Sequence, residues 1–139
     1  MPMVLADNSF VSDLFHELQN DIDGPATRFL TRHQVALNAV AVAEFMACEP
    51  TEGRVRCLRH FAKLACLGFS TGMLAGRVKF ARQRYVRLHK IRGKKELSLC
   101  DAMMAADAII RGMPLVCADK DFSGIPGLKA MPYRQPRTP

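Results

Sequence analysis

Short apolar runs alternate with longer amphipathic stretches along this chain of 139 residues. The runs that predict strands are residues 3–6, 35–42, 67–70, 114–117 and 128–131. Between them lie stretches with helical periodicity, the clearest of which has apolar side chains at 74, 78, 81, 85 and 88. Because parallel strands need long crossover connections, this alternation predicts a mostly parallel sheet with helices on both faces.

Capping and breaking residues set the expected ends of several helices. Residues 7–9 (Asp-Asn-Ser) supply N-cap side chains for a first helix, and Thr51 can cap a helix over residues 52–66. The last helix is expected to begin at Ser98 and to end at Gly112. These signals place each helix directly after, or directly before, one of the apolar runs.

The composition is that of a soluble globular protein. Hydrophobic residues make up 49% of the chain and the mean hydropathy is −0.01. No apolar stretch approaches the roughly 20 residues of a membrane span, and no signal peptide is recognisable. The five cysteines form no CxxC pair, which predicts reduced thiols and a cytoplasmic location. We expect a single domain over residues 1–131 and an extended, proline-rich tail over residues 132–139.

Positive charge is concentrated in one part of the chain. The net charge is +7, and nine of the 20 basic residues lie between Arg77 and Lys95, a stretch without any acidic residue. Such a stretch attracts phosphate backbones, acidic proteins or anionic lipid surfaces, although a solvated helix face would give the same pattern. If the partner is a nucleic acid, the residues expected to contact its phosphates are Arg77, Lys79, Arg82, Arg84 and Arg87.

Four acidic residues stand inside or at the end of apolar runs: Asp7, Glu44, Asp101 and Asp119. Glu44 is the only formal charge between Arg32 and Glu49. A buried carboxylate without a partner costs several kcal/mol or loses its charge. Asp7, Glu44 and Asp119 follow predicted strands, so they are expected at the edge where parallel strands end and ligands bind.

Each of these acids also has a purely structural explanation. Asp7 could cap a helix, Asp101 could form a capping box with Ser98, and Asp119 and Asp121 could form a turn. Two carboxylates about 4 Å apart repel by roughly 4 kcal/mol at an effective dielectric constant of 20, so a cluster of four favours a shared cation. Oxygen ligands alone point to Mg²⁺ or Mn²⁺. Asp107 lies roughly 120° around the last helix from Asp101, which sets it apart from the cluster.

Three segments resemble the PIN-domain ribonucleases, and specifically the VapC-type toxins of bacterial toxin–antitoxin pairs. The segments are VLADNSFVSDLF, VALNAVAVAEFMA and IRGKKELSLCDAMMAADAIIRGMPLVCADKDFSGIPGLK. The resemblance implies a PIN-like three-layer α/β/α sandwich with a mostly parallel sheet of about four to five strands. It also implies that Asp7, Glu44, Asp101 and Asp119 are the catalytic and metal-binding acids, with Ser9 and Asp121 as supporting residues. Cys117 stands where the family often has Thr or Ser.

The resemblance implies a Mg²⁺- or Mn²⁺-dependent endoribonuclease that hydrolyses RNA phosphodiester bonds. It further implies a small antitoxin protein that blocks the acidic pocket, and a homodimer for which the first helices are candidate contacts. A non-catalytic PIN-like module that binds RNA or protein is the main alternative. A DNA-directed nuclease and a receiver-like phosphoacceptor domain are the others, and the second of these would need paired acids after the first strand.

Overall fold

The computed structural model describes residues 3–48, 65–67, 72–88, 97–118, 122 and 124–134. The strands in these ranges are β1 (Met3–Ala6), β2 (Gln34–Asn38), β3 (Ala65–Leu67), β4 (Leu115–Cys117) and β5 (Ala130–Pro132). The helices are α1 (Asn8–Gln19), α2 (Pro25–Arg32), α3 (Ala39–Cys48), α4 (Gly72–Leu88) and α5 (Leu99–Arg111). None of these helices is both long and apolar enough to cross a lipid bilayer.

The five strands form one sheet in the order β3-β2-β1-β4-β5. Every neighbouring pair is parallel, and Leu5 of β1 lies opposite Ala36 of β2 and Leu115 of β4. The chain adds strands on one side of β1 first and on the other side afterwards. Strand order therefore reverses between β1 and β4, and the carboxyl ends of these two strands border a crevice.

Helices cover both faces of the sheet, as the sequence predicts. Along β1 the side chains alternate: Val4 and Ala6 pack with α1 and α2, whereas Leu5 packs with α4 and α5. Helix α3 contributes to both apolar layers, through Ala41 in one and Phe45 in the other. The three-layer α/β/α arrangement is thereby confirmed, with α3 next to the carboxyl ends of the central strands.

The two ends of α5 are those expected from the sequence. The Ser98 hydroxyl accepts a hydrogen bond from the Asp101 N–H at 3.1 Å, and Ser98 is the N-cap residue. At the other end Gly112 has a φ of +66°, a left-handed conformation that glycine adopts without a steric penalty. Asp101 is thus held in the first turn of its helix.

A buried carboxylate at the start of α2 was not predicted. Glu17 of α1 is 5% exposed and accepts hydrogen bonds from the N–H groups of Ala26 (3.1 Å) and Thr27 (2.8 Å). A Cβ atom at Gly24, the N-cap residue of α2, would overlap the Glu17 carboxyl group. Glu17 therefore caps a neighbouring helix, and Gly24 provides the space in which it does so.

Some predicted boundaries are wrong. Strand β3 begins at Ala65, two residues before the predicted start at 67, so the helix expected over 52–66 does not extend to its predicted end. Residues 51–64 and 68–70 lie outside the described ranges. Strand β5 is shifted in the opposite direction, towards the C-terminus, and covers Ala130–Pro132 instead of 128–131. The cause is common to both, since a short apolar run fixes the presence of a strand better than its register.

The packed part of the chain also continues past residue 131, where the domain was expected to end. Tyr133 is 6% exposed and packs edge-to-face on Phe10, with ring centroids 5.1 Å apart. Its hydroxyl donates a hydrogen bond to Asp13, which also pairs with Arg134. An aromatic ring that joins the core after β5 thus holds the start of the predicted tail against α1.

Candidate active site

The first predicted acid lies at the crevice between β1 and β4. Asp7 directly follows β1 and is 5% exposed, and its backbone N–H donates to the Val116 carbonyl at 3.0 Å. It occupies the N-cap position of α1, but its side chain makes no capping hydrogen bond. Helix capping is therefore not the role of the Asp7 carboxylate, and its burial needs another explanation.

Ser9, predicted as a supporting residue, connects the two sides of the crevice. Its hydroxyl donates to Asp7 Oδ2 at 3.1 Å and accepts from the Ala118 N–H at 3.2 Å. Its carbonyl accepts a hydrogen bond from the Tyr133 hydroxyl at 3.2 Å. One serine thus orients the Asp7 carboxylate and fixes the backbone where the chain leaves β4.

Glu44 lies in the middle of α3, and its neighbour Phe45 fixes the rotation of that helix. The Phe45 ring is fully buried and packs edge-to-face on Phe15 of α1, with centroids 5.5 Å apart. Glu44 Oε1 is buried and has no hydrogen-bond partner among the described residues. Burial, together with the charges of Asp7 and Asp101, raises the pKa of Glu44 to about 7. Three acids from separate segments therefore interact in one region.

Asp101 contributes to this region from the first turn of α5. Its negative charge raises the pKa of Glu44 and also affects the neighbouring Cys100. Burial is the main reason why the pKa of the Cys100 thiol is raised, and the charges of Glu44 and Asp101 add to it. Cys100 was not singled out from the sequence, although its position next to Asp101 could have indicated that it borders the acids.

The fourth acid lies outside the described residues, as do both of its candidates, Asp119 and Asp121. The described backbone ends just before them at Ala118, which Ser9 holds beside Asp7. Within the described ranges, no group of three or more His, Cys, Asp or Glu side chains is arranged to hold a metal ion. The donor atoms suit Mg²⁺ or Mn²⁺ all the same, because they are carboxylate oxygens and Glu44 Oε1 lacks a described protein donor.

Solved structures of toxin–antitoxin proteins match this chain over nearly its whole length. VapBC2 from Rickettsia felis, bound to a DNA fragment from its promoter, is 13% identical with a TM-score of 0.67, covering 94% of this chain and 98% of that one. A toxin–antitoxin complex from Klebsiella pneumoniae is 22% identical with a TM-score of 0.61, covering 90% and 94%. Mycobacterium tuberculosis VapC20, described as a sarcin–ricin loop cleaving toxin, is 16% identical with a TM-score of 0.53, covering 90% and 98%.

The chain has the PIN-like fold of the VapC toxins. No protein-family model matches the sequence, and no curated protein matches it either. At these identities the structural likeness concerns the fold, and the chemistry has to be argued from the residues.

A buried polar network connects the two helices that carry Glu44 and Asp101 in this PIN-like fold. Asn38 Nδ2 donates to Asp107 Oδ2 at 3.0 Å, and Arg111 Nε donates to Asp107 Oδ1 at 2.9 Å. The Asn38 side-chain oxygen accepts from the Ala41 N–H at 3.0 Å, which caps the start of α3. Asp107 is thus engaged away from the acids. Asn38 was missed, although an asparagine directly before a helix is a recognisable cap.

The basic residues of α4 are only partly on the surface. Arg82 is 2% exposed and lies on the buried side of the helix with Ala75 and Val78. The prediction that Arg82 contacts RNA is therefore wrong for the chain in this conformation, because its guanidinium group is enclosed by protein. Lys79 is half-buried. The predicted RNA contacts that are exposed on α4 are Arg77, Arg84 and Arg87.

A cavity of about 710 Å³ lies apart from the acids, between α2 and the end of β5. Arg28, Arg32 and Arg134 line it together with Phe29 and Tyr133. None of the four predicted acids is among its lining residues. Asp7 instead lies at the crevice where strand order reverses, which is where α/β sheets bind their ligands.

Proposed function

We propose that this chain is a divalent-metal-dependent endoribonuclease, the toxin of a toxin–antitoxin pair. The observation that carries the proposal is a buried Glu44 oxygen that no described donor satisfies, on a carboxyl group whose pKa is raised by burial and by the charges of Asp7 and Asp101. Such an arrangement is unfavourable for the protein alone and favourable once a cation is present. The PIN-like fold, shared with proteins described as toxins, agrees with this chemistry.

The four acids Asp7, Glu44, Asp101 and Asp119 would hold Mg²⁺ or Mn²⁺, with Asp121 in support. When bound, the cation would supply positive charge against the scissile phosphate and favour ionisation of water. Ser9 keeps the Asp7 carboxylate in a fixed orientation through its hydrogen bond to Oδ2. Each hydrolysis consumes one water, breaks one P–O bond, and leaves a phosphate monoester on one product and a hydroxyl on the other.

The proposed partners are RNA, a small antitoxin protein and a second copy of the chain. Several similar structures are described as toxin–antitoxin complexes, some of them with DNA, which supports an antitoxin that covers the acidic crevice. The homodimer is supported less directly: Leu18 at the end of α1 and Ile22 after it are 40% and 47% exposed. Both are apolar residues at or just after the end of the first helix, where a subunit contact was expected.

Replacing the acids by their amides tests the nuclease. We expect Asp7→Asn, Glu44→Gln and Asp101→Asn each to reduce the cleavage rate about 10²- to 10⁴-fold, because each removes a charge that the cation or the transferred proton requires. The assay uses purified protein, Mn²⁺ or Mg²⁺, and structured RNAs that include a sarcin–ricin hairpin. Excess EDTA should stop the wild-type reaction.

Asp23→Asn is the matched control, because Asp23 is an exposed acid that pairs only loosely with Arg28. It should leave cleavage unchanged. In cells, induced wild-type chain should arrest growth, Asp7→Asn should not, and an antitoxin encoded in the neighbouring reading frame should relieve the arrest. If the wild type cuts none of the RNAs and Asp7→Asn changes nothing, the non-catalytic module is the correct reading.

A further inference from the structure

Helix α4 presents one exposed stripe, formed by Gly76, Arg77, Phe80, Gln83, Arg84 and Arg87. These positions recur at helical spacing and lie opposite the buried Ala75, Val78 and Arg82. In its centre Phe80 is 64% exposed, more than any other large apolar side chain that the structure describes. The stripe thus combines one aromatic ring with three arginines.

The arginines are placed symmetrically about the ring. Arg77 stands three residues before Phe80 and Arg84 four residues after it, so both lie one helical turn away on the same face. Seven residues of helix separate the two arginines by about 10 Å along the axis. The sequence of α4 contains no acidic residue, so nothing on this helix neutralises them.

A single exposed apolar side chain is ordinary on a protein surface. The residues around Phe80, however, favour one kind of partner over another. An apolar partner protein would be expected to contact an apolar surrounding, whereas the neighbours of Phe80 on the stripe are cations, glycine and glutamine. Aromatic rings between cations are the combination that binds single-stranded nucleic acid, with bases stacked on the rings and phosphates on the charges. Charge and chemistry therefore favour RNA as the occupant of the stripe.

We propose that Phe80 stacks on an unpaired base of the RNA while Arg77 and Arg84 contact phosphates on either side of it. The inference rests on the proposed function for the choice of RNA, and adds to it a preference for unpaired nucleotides. Bases inside a duplex are already stacked on each other and cannot reach an exposed ring. A loop or bulge, rather than a continuous helix, is then what α4 recognises.

The absence of tryptophan from the sequence permits a direct test. Phe80→Trp keeps an aromatic ring and introduces a sole tryptophan, whose emission reports stacking. In EDTA, so that no RNA is cut, a hairpin with an unpaired loop should quench this emission. A fully paired duplex of the same length should leave it almost unchanged. Equal responses to both RNAs, or none to the hairpin, would overturn the proposal.

Binding measurements separate stacking from charge. Phe80→Ala should weaken hairpin binding about tenfold at fixed salt, while the slope of log K against log salt stays unchanged. Arg77→Gln and Arg84→Gln should each reduce the magnitude of that slope by about 0.7. Ile110→Ala, which alters another large exposed apolar side chain (57%), is the control and should change neither quantity.

Two further outcomes keep this inference distinct from the nuclease proposal. If Phe80→Ala binds the hairpin as the wild type does but impairs self-association or antitoxin binding, the stripe is a protein contact and the inference is wrong. If the Phe80 variants behave as expected and the wild type with Mn²⁺ still cuts nothing, the inference stands and the nuclease proposal fails. Because Phe80 is largely exposed, its variants should melt cooperatively at the wild-type temperature.

Discussion

At the scale of single residues, the surroundings of Glu44 disfavour the charged form of its carboxyl group. Burial and the charges of Asp7 and Asp101 all favour its protonated form. A bound proton and a bound divalent cation would each compensate the negative charge of this buried carboxyl group. They should therefore compete for it. The pH dependence of stability without metal is the simplest place to see this.

The pKa of Glu44 in the folded state, about 7, lies above the ordinary glutamate value of 4.5. Between these pH values the folded state therefore holds a proton that the unfolded state has released. Stability of the metal-free protein should therefore fall as pH rises from about 4.5 to 7. Glu44→Gln cannot lose this proton, so it should be more stable than the wild type at pH 8 and similar to it below pH 4.5. Thermal unfolding in EDTA at both pH values measures the difference.

The control for this experiment is Asp23→Asn, whose carboxylate is exposed. Adding Mg²⁺ at pH 8 should raise the unfolding temperature of the wild type and leave that of Glu44→Gln less affected. If Glu44→Gln differs from the wild type by the same amount at both pH values, the raised pKa is not the cause.

Residues that stand out against their neighbours could be predicted from the sequence, and others could not. Asp7, Glu44 and Asp101 were recognisable because a charge inside an apolar run is costly unless it has a use. The exposure of Arg82 was predicted wrongly, because the sequence of a basic helix does not show which of its cations are buried. Helical geometry separates Asp107 from Asp101, but its hydrogen bond to Asn38 could not be predicted because the two residues lie far apart in the chain.

At the scale of elements, the packing of α2 on α1 depends on one carboxylate and one missing side chain. Glu17 satisfies two N–H groups at the α2 N-terminus, and the negative charge there is favourable to the helix dipole. Gly24 lies against that carboxylate, with no room for a Cβ. The two residues should therefore be energetically coupled.

Gly24→Ala should lower the free energy of unfolding by about 1–3 kcal/mol, because the Glu17 carboxylate must leave its buried N–H partners. In a Glu17→Ala background the same change should cost much less, which a double-mutant cycle in chemical denaturation would measure. Gly76→Ala on the exposed side of α4 is the matched control. A Cβ there meets nothing within 4 Å, so it should stabilise by about 0.5–1 kcal/mol. Additive effects at 17 and 24 would contradict the coupling.

The existence and order of the elements followed from the sequence, since apolar runs and helical periodicity report which surfaces are buried. Ser98 and Gly112 even gave the ends of α5 correctly, because capping is local. The ends of β3 and β5 were misjudged, because strand register depends on the neighbouring strand and not on the run itself. The Glu17 cap was missed for the same reason, as its partners belong to another helix.

At the scale of the whole molecule, the segment after β5 packs against α1, near the start of the described chain. The Tyr133 ring packs on Phe10, and its hydroxyl contacts both Ser9 and Asp13. Burial and the adjacent Asp13 raise the pKa of Tyr133, so its hydroxyl remains a donor throughout the physiological range. The C-terminal segment thereby supports the same turn that orients Asp7.

Removing residues 132–139 should therefore lower the free energy of unfolding by about 3 kcal/mol, comparable to deleting a buried aromatic ring. Removing only residues 135–139 keeps Tyr133 and Arg134 in place, so the cost should be smaller. Tyr133→Phe keeps the ring and loses the hydroxyl, so we expect a cost of about 1 kcal/mol. Urea unfolding of the three variants gives these values; equal stability of the two truncated chains would contradict the role of Tyr133.

The central place of β1 also decides when the crevice comes into being during translation. β1 is translated before β2 and β4, yet it pairs with both, and the Ser9 hydroxyl accepts a hydrogen bond from the Ala118 N–H. The crevice beside Asp7 is bordered by β4 as well as β1, so it can form only after residue 118 has been translated. A chain released earlier carries Asp7, Glu44 and Asp101 without the crevice that joins them. For a protein that we propose cuts RNA, the consequence is that the ribosome meets no assembled crevice before β4 and residue 118 have been translated.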